Sequence, residues 1–140
     1  MSIAAGHADL VRFQASLERC LGAPDFLQRF YARFLLSHPT IEAHFARTNL
    51  KKQAAILRTS LYLVLRAAQG HEDGLDHLRE VGRTHSSRGY GIGAHEYTLW
   101  LHTLLDVARE VDPEFDADCE GAWRACLEPC IALVISHAHA

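Results

Sequence analysis

The sequence has no hydrophobic run long enough to cross a membrane. Its longest, Ile131 to Ile135, is far below the roughly 20 residues that a spanning helix requires. The opening residues, MSIAAGHADLVR, contain no basic segment leading into an apolar core, so no signal peptide is predicted. Charge is balanced as well, because 14 Lys+Arg against 17 Asp+Glu give a net charge of −3. We therefore expect a cytoplasmic protein with neither membrane nor nucleic acid among its partners.

The spacing of the four cysteines argues against two kinds of site. The four cysteines form no Cys-x-x-Cys pair, which argues against a zinc knuckle, and no Cys-x-x-Cys-His, which argues against covalently attached c-type haem. Cys119, Cys126 and Cys130 recur with Trp123 at helical spacing. This pattern predicts small buried side chains on one helix face, with a redox or metal role as the alternative. A Gly-rich phosphate loop is also missing, because the glycines at 89, 91 and 93 do not follow a strand.

What the sequence does contain is typical of one globular domain. Its 140 residues are 49% apolar and 22% charged, and the apolar positions recur every three or four residues almost throughout. Pro24, Pro39 and Pro113 mark boundaries between the apolar stripes. We therefore predict one all-α domain over residues 1–140, with an irregular segment at 86–93. The predicted helical stretches are 10–21, 26–35, a short one at 41–46, 50–68, 75–85, 97–108 and 116 to the end.

Ten histidines are an unusually large number for this length. Most are interpreted as surface residues: His71 and His77 fall in a polar connection, and His137 and His139 lie in the tail. His85 differs, since it ends an apolar stripe and should face the interior at the end of a short helix. It is either a core histidine bonded to a backbone carbonyl or an axial ligand to haem iron. A ligand needs a hydrogen bond on its other ring nitrogen, for which the Val81 carbonyl is expected.

Two further polar residues lie on apolar stripes. Gln53 is four residues before Leu57, so both lie on one side of a helix. It indicates either a ligand pocket or a glutamine at the solvent edge. Tyr31 lies within the richest aromatic stripe, where a buried hydroxyl requires a partner.

These residues together resemble the bacterial single-domain globins, relatives of the globin domain of flavohaemoglobins. The run from Phe30-Tyr31 through Pro39 to Phe45 looks like the second helix and the following corner of that family. The run Gly82-Arg-Thr-His85, followed by Gly89 and Tyr97, is similar to the family's proximal helix, and Trp123 matches an Ala-Trp in its last helix. The resemblance covers essentially the whole chain and implies a globin fold of six to seven helices packed around a haem pocket.

The resemblance also implies a role for each matching residue. His85 would be the proximal ligand to the iron of haem b, and Phe45 would stack on the porphyrin. Tyr31 and Gln53 would form the distal hydrogen-bonding pair for O₂, with Leu57 as the apolar distal wall. Tyr97 would bond the proximal histidine. The haem would be enclosed by an apolar set comprising Leu57, Val81, Ile92, Leu101 and Leu105.

The function implied is reversible binding of O₂, with NO and CO as further ligands, at a five-coordinate iron. NO dioxygenation with an external reductase is the alternative, because no reductase domain follows within these 140 residues. Gas sensing through a partner protein is a third function that the same pocket would allow. Lys52, Arg83 and Arg88 are candidate partners for the haem propionates.

Two hypotheses that assign the chain to other classes of protein remain. A globin-like interaction module without haem would have an apolar residue or a filled pocket where this chain has His85. A metal-binding helical bundle would need Glu–His pairs three residues apart facing one core, and the sequence offers none.

Overall fold

A computed structural model describes residues 5–85 and 92–138, and these residues form α-helices with no strand among them. The all-helical prediction is therefore confirmed. In chain order the seven helices of the described residues are α1 His7–Gly22, α2 Phe26–Leu36, α3 Pro39–His44, α4 Leu50–Ala68, α5 Glu72–Thr84, α6 Ala94–Val111 and α7 Ala117–His137.

Local sequence signals account for several of the helix ends. Pro39 is the first residue of α3, where its missing N–H costs nothing. The side chain of Asn49 accepts from the Lys52 N–H at 3.1 Å and caps α4. Gly70, with φ of 87°, ends α4 because few residues other than glycine adopt this left-handed conformation. At these positions the helices therefore begin and end where local capping chemistry favours it.

Helix α5 packs against both α4 and α7, and α1 packs along α7. The fully buried residues of α5 are Gly74, Leu78 and Gly82, so it meets its neighbours largely through two glycines. A Cβ added at Gly82 would lie 2.4 Å from the Val134 carbonyl oxygen of α7. Glycine is therefore required for the observed approach of these two helices.

A buried polar network joins α1, α7 and the turn after α6. The Asp112 carboxylate, 2% exposed, accepts from Ser16 Oγ at 2.6 Å and from Arg19 Nε at 2.6 Å. Ser16 Oγ in turn accepts from Trp123 Nε1 at 2.9 Å, and the Trp123 ring meets Phe13 edge to face. Because each polar atom in this network has a partner, it can lie in the core without a large desolvation cost.

The cysteine prediction is confirmed in its structural part, since all four cysteines are buried and free. Pro129 lies inside α7, which continues to His137. None of the helices described combines the length and the apolar character that a membrane span requires.

Candidate functional site

A cavity of about 210 Å³ opens between helices α2 to α7. Most of its wall is apolar, which suits a large apolar ligand. The apolar lining consists of Phe34, Ile41, Phe45, Ile56, Leu57, Val64, Leu78, Val81, Ile92, Trp100, Leu127, Ile131 and Val134. The polar lining consists of Tyr31, His44, Gln53, Ser60, His77, His85, Glu96, Tyr97 and Cys130.

His85 lines this cavity from the C-terminal end of α5. Its Nδ1 lies 3.2 Å from the Tyr97 hydroxyl of α6. The prediction of the Val81 carbonyl as the partner of the ring is wrong. That carbonyl instead accepts from the His85 backbone N–H at 2.9 Å. Histidines that bind a metal commonly have their other ring nitrogen held in this way, so the Tyr97 contact suits a histidine ligand.

Burial, together with repulsion from the neighbouring His77 when that ring is protonated, lowers the pKa of His85 below its ordinary value. The imidazole is therefore neutral near pH 7, which is the form that coordinates a metal. Burial and the adjacent Glu96 raise the pKa of Tyr97 to about 12, so its hydroxyl keeps its proton. A neutral imidazole and a neutral phenol can thus share a hydrogen bond that orients the ring without separating charge.

Tyr31 and Gln53 meet at another part of the same cavity. The Tyr31 side chain is buried, and its hydroxyl donates to the backbone carbonyl of Gln53 at 3.5 Å. Burial raises the pKa of Tyr31 to about 12, so the group is a hydrogen-bond donor at neutral pH. Phe45 packs its ring 5.8 Å from the Tyr31 ring, and Leu57 is buried on the wall beside them.

The comparisons with known proteins agree with this arrangement. The Globin family model matches residues 28–135, most of the chain. The chain belongs to the globin family. A solved bacterial relative, protein PA3967 of Pseudomonas aeruginosa PAO1, is described as structurally highly homologous to a human haemoglobin. It is 34% identical and superposes with a TM-score of 0.88, over 92% of this chain and 97% of the relative. No curated protein sequence matches.

Globins carry haem and bind gases such as O₂. The cavity offers the apolar walls that a porphyrin needs and a neutral imidazole whose second nitrogen is already held. Metal binding by side chains alone has no such support. Among the residues described, no group of three or more His, Cys, Asp or Glu could hold an ion. The donor set of this globin therefore fits haem.

Eight of the predicted site residues line the cavity, and two do not. Leu101 instead lines a groove on the α7 side of α6, and Leu105 is buried in the core at 2% exposure. Their contact with haem therefore stays a prediction that the described lining does not support. The α6 residue that takes this place is Trp100, because the face of α6 that meets the cavity carries Trp100 and Tyr97.

His77 corrects a second prediction. It is not a surface residue of a polar connection, because α5 already begins at Glu72 and places His77 on the cavity wall. Its Nε2 lies 2.8 Å from Ser60 Oγ of α4. Burial lowers the pKa of His77, so this ring too is neutral at pH 7. The signal in the sequence was the four-residue spacing from His77 through Val81 to His85, which puts all three on one helix face.

The predicted propionate partners are not on the described cavity wall. Arg83 is exposed and pairs with Glu80 at 2.6 Å, and Lys52 is exposed at the start of α4. Arg88 lies outside the described residues, as does His139, and most of the predicted irregular segment at 86–93 does too.

Proposed function

We propose that this globin holds haem b in the cavity with His85 as the protein ligand to iron, and that it binds O₂ reversibly. The observation that carries the proposal is the His85 imidazole, neutral, on the wall of an apolar cavity, and hydrogen-bonded to Tyr97. Bound haem would supply the iron atom that holds a diatomic gas.

The chain's own residues would perform the remaining work. His85 would offer Nε2 while Tyr97 keeps its ring from turning. Phe45 would pack against the porphyrin plane, and Leu57 would exclude water from the ligand side. The Tyr31 hydroxyl and the Gln53 side chain would donate hydrogen bonds to O₂. Two such donors favour O₂ over CO, because bound CO carries less negative charge.

The first experiment is an absorption spectrum of the purified protein with added haem, in ferric, reduced and CO-bound forms. We expect a one-to-one complex with a five-coordinate ferrous band, lost in His85→Gly and restored when free imidazole is added. His71→Ala, which changes an exposed histidine, is the matched control and should leave the spectra unchanged. Failure of the wild type to bind haem stoichiometrically would refute the proposal.

The second experiment separates the gas-binding side from the iron ligand. Tyr31→Phe and Gln53→Leu should each raise the O₂ dissociation rate while changing the CO rate far less. Each lost hydrogen bond corresponds to a factor of roughly 3 to 10 in rate. Equal O₂ dissociation rates in both variants and the wild type would show that neither side chain bonds the gas. The assignment of His85 as the iron ligand would not be affected.

A further inference from the structure

Ser60 and His77 form a polar contact that the proposed function does not use. Within the described residues, two hydrogen bonds join side chains on the cavity wall. One is His85–Tyr97, and the other is Ser60–His77, with Oγ and Nε2 2.8 Å apart. Both Ser60 and His77 are half-buried, so they lie where the cavity meets solvent. A side-chain bond at this position closes part of the cavity rim.

Ser60 and His77 lie well away from His85 and Gln53, the residues proposed to hold iron and gas. Ser60 is seven residues after Gln53 along α4, which is about 10 Å at the helical rise, and His77 is eight residues before His85 along α5, about 12 Å. Both spans are comparable with the width of a porphyrin. The contact is therefore at the rim of a plate bound between α4 and α5.

The bond also connects the two helices that would enclose the cofactor. Helix α4 carries Gln53 and Leu57, and α5 carries His85. Separation of α4 from α5 would open the cavity to water and allow the plate to leave. Arg66 and Asp73 already pair the two helices near the turn that joins them. Among the described residues, Ser60–His77 is the side-chain hydrogen bond between α4 and α5 that lies on the cavity wall.

We propose that Ser60 and His77 form a latch across the α4–α5 rim of the cavity that slows release of haem. The inference rests on the proposed function, since it requires haem in this cavity. The latch acts as a positioning contact: it need not touch iron or gas. Its neutral histidine can lie against a porphyrin edge without a buried charge.

The test is the rate of haem transfer from the holoprotein to excess apomyoglobin, followed by absorbance. We expect Ser60→Ala and His77→Leu each to release haem about 3- to 10-fold faster, and the double variant to be no faster than the faster single one. His77→Gln, whose amide can replace Nε2 as the partner of Ser60, should stay within about twofold of wild type. His71→Leu, an exposed histidine, is the control and should release haem at the wild-type rate.

Three outcomes would overturn the latch. Release rates within twofold of wild type in both single variants would show that the contact does not retain haem. Effects that multiply in the double variant would show that the two residues act separately. An equal loss of stability in the apoproteins, measured by urea unfolding, would make the role purely structural. Failure of wild-type protein to bind haem would instead refute the proposed function, so the two failures are distinguishable.

Discussion

Replacement of Gly82 by alanine tests how closely α5 and α7 approach. The new Cβ would lie 2.4 Å from the Val134 carbonyl oxygen and 2.8 Å from His137 Cβ, whereas ordinary contact begins near 3.4 Å. The helices would therefore have to separate by about 1 Å at this point. Because the closest atom belongs to the backbone, no side-chain rotation can relieve the contact.

The size of the effect follows from two opposing terms. Overpacking of this kind costs about 1–3 kcal/mol, and the better helix propensity of alanine returns at most about 1 kcal/mol. We expect Gly82→Ala to lower the free energy of unfolding by about 1–2 kcal/mol, which for a chain of this size is a fall in Tm of about 3–7 °C. Urea and thermal unfolding of the apoprotein, followed by circular dichroism, would measure it.

Gly121→Ala is the matched control because it makes the same chemical change in a helix. A Cβ at Gly121 of α7 would meet nothing within 4 Å. Only the propensity term then applies, and we expect stabilisation by about 0.5–1 kcal/mol. Shifts of the same sign in the two variants would refute the close-approach argument.

Three further outcomes are expected. Asp112→Asn should lower the free energy of unfolding by about 2–3 kcal/mol in urea titrations, because Arg19 loses its charged partner. Burial alone would raise the pKa of Asp112, but the hydrogen bonds it accepts, chiefly from Arg19, outweigh burial and lower it. The stability that this carboxylate confers is therefore present above about pH 4 and lost as pH falls through the lowered pKa, so wild type and variant should converge in acid. Tyr97→Phe should shift the iron–histidine stretching band of the reduced protein in resonance Raman spectra, and an unchanged band would show that the hydroxyl does not act on His85. Burial raises the pKa of Cys130 to about 12, so this thiol should react with an aromatic disulfide at pH 8 only after unfolding, as counted by mass spectrometry.

The sequence predicted α4 from Leu50 to Ala68, and the structure has the same bounds. This agreement has a physical reason, since Asn49 caps the start and Gly70 adopts the left-handed conformation at the end. Both signals are local and can be read without tertiary information.

On α6, by contrast, the sequence did not identify the residues that line the cavity. This helix is apolar on more than one side: Leu101 and Leu105 are buried, and Trp100 also meets the core cluster. Periodicity identifies apolar faces but does not say which of them meets the cavity. One residue along a helix is a rotation of about 100°, so exchanging Leu101 for Trp100 changes the wall completely.

The polar residues after Gly70 indicate an exposed connection at His77, although the predicted helical stretch 75–85 already includes this residue. In the structure Glu72 and Asp73 lie in the first turn of α5, where acidic side chains are favoured by the helix dipole. A run of charged residues was thus the start of a helix. Ser60, the partner of His77 on α4, could be found only from the tertiary structure.

The small buried surface of α5 has a thermodynamic consequence. Of its 13 residues, the buried ones are Gly74, Leu78 and Gly82, and only Leu78 contributes much apolar area. The segment that carries His85 therefore buries little apolar side-chain area, and it lies close to its neighbours at its two buried glycines. Ordering of α5 and occupation of the cavity are then linked equilibria. Part of the binding free energy of a cofactor is used to order this helix. Any change that stabilises α5 in the empty protein therefore raises the measured affinity for the cofactor.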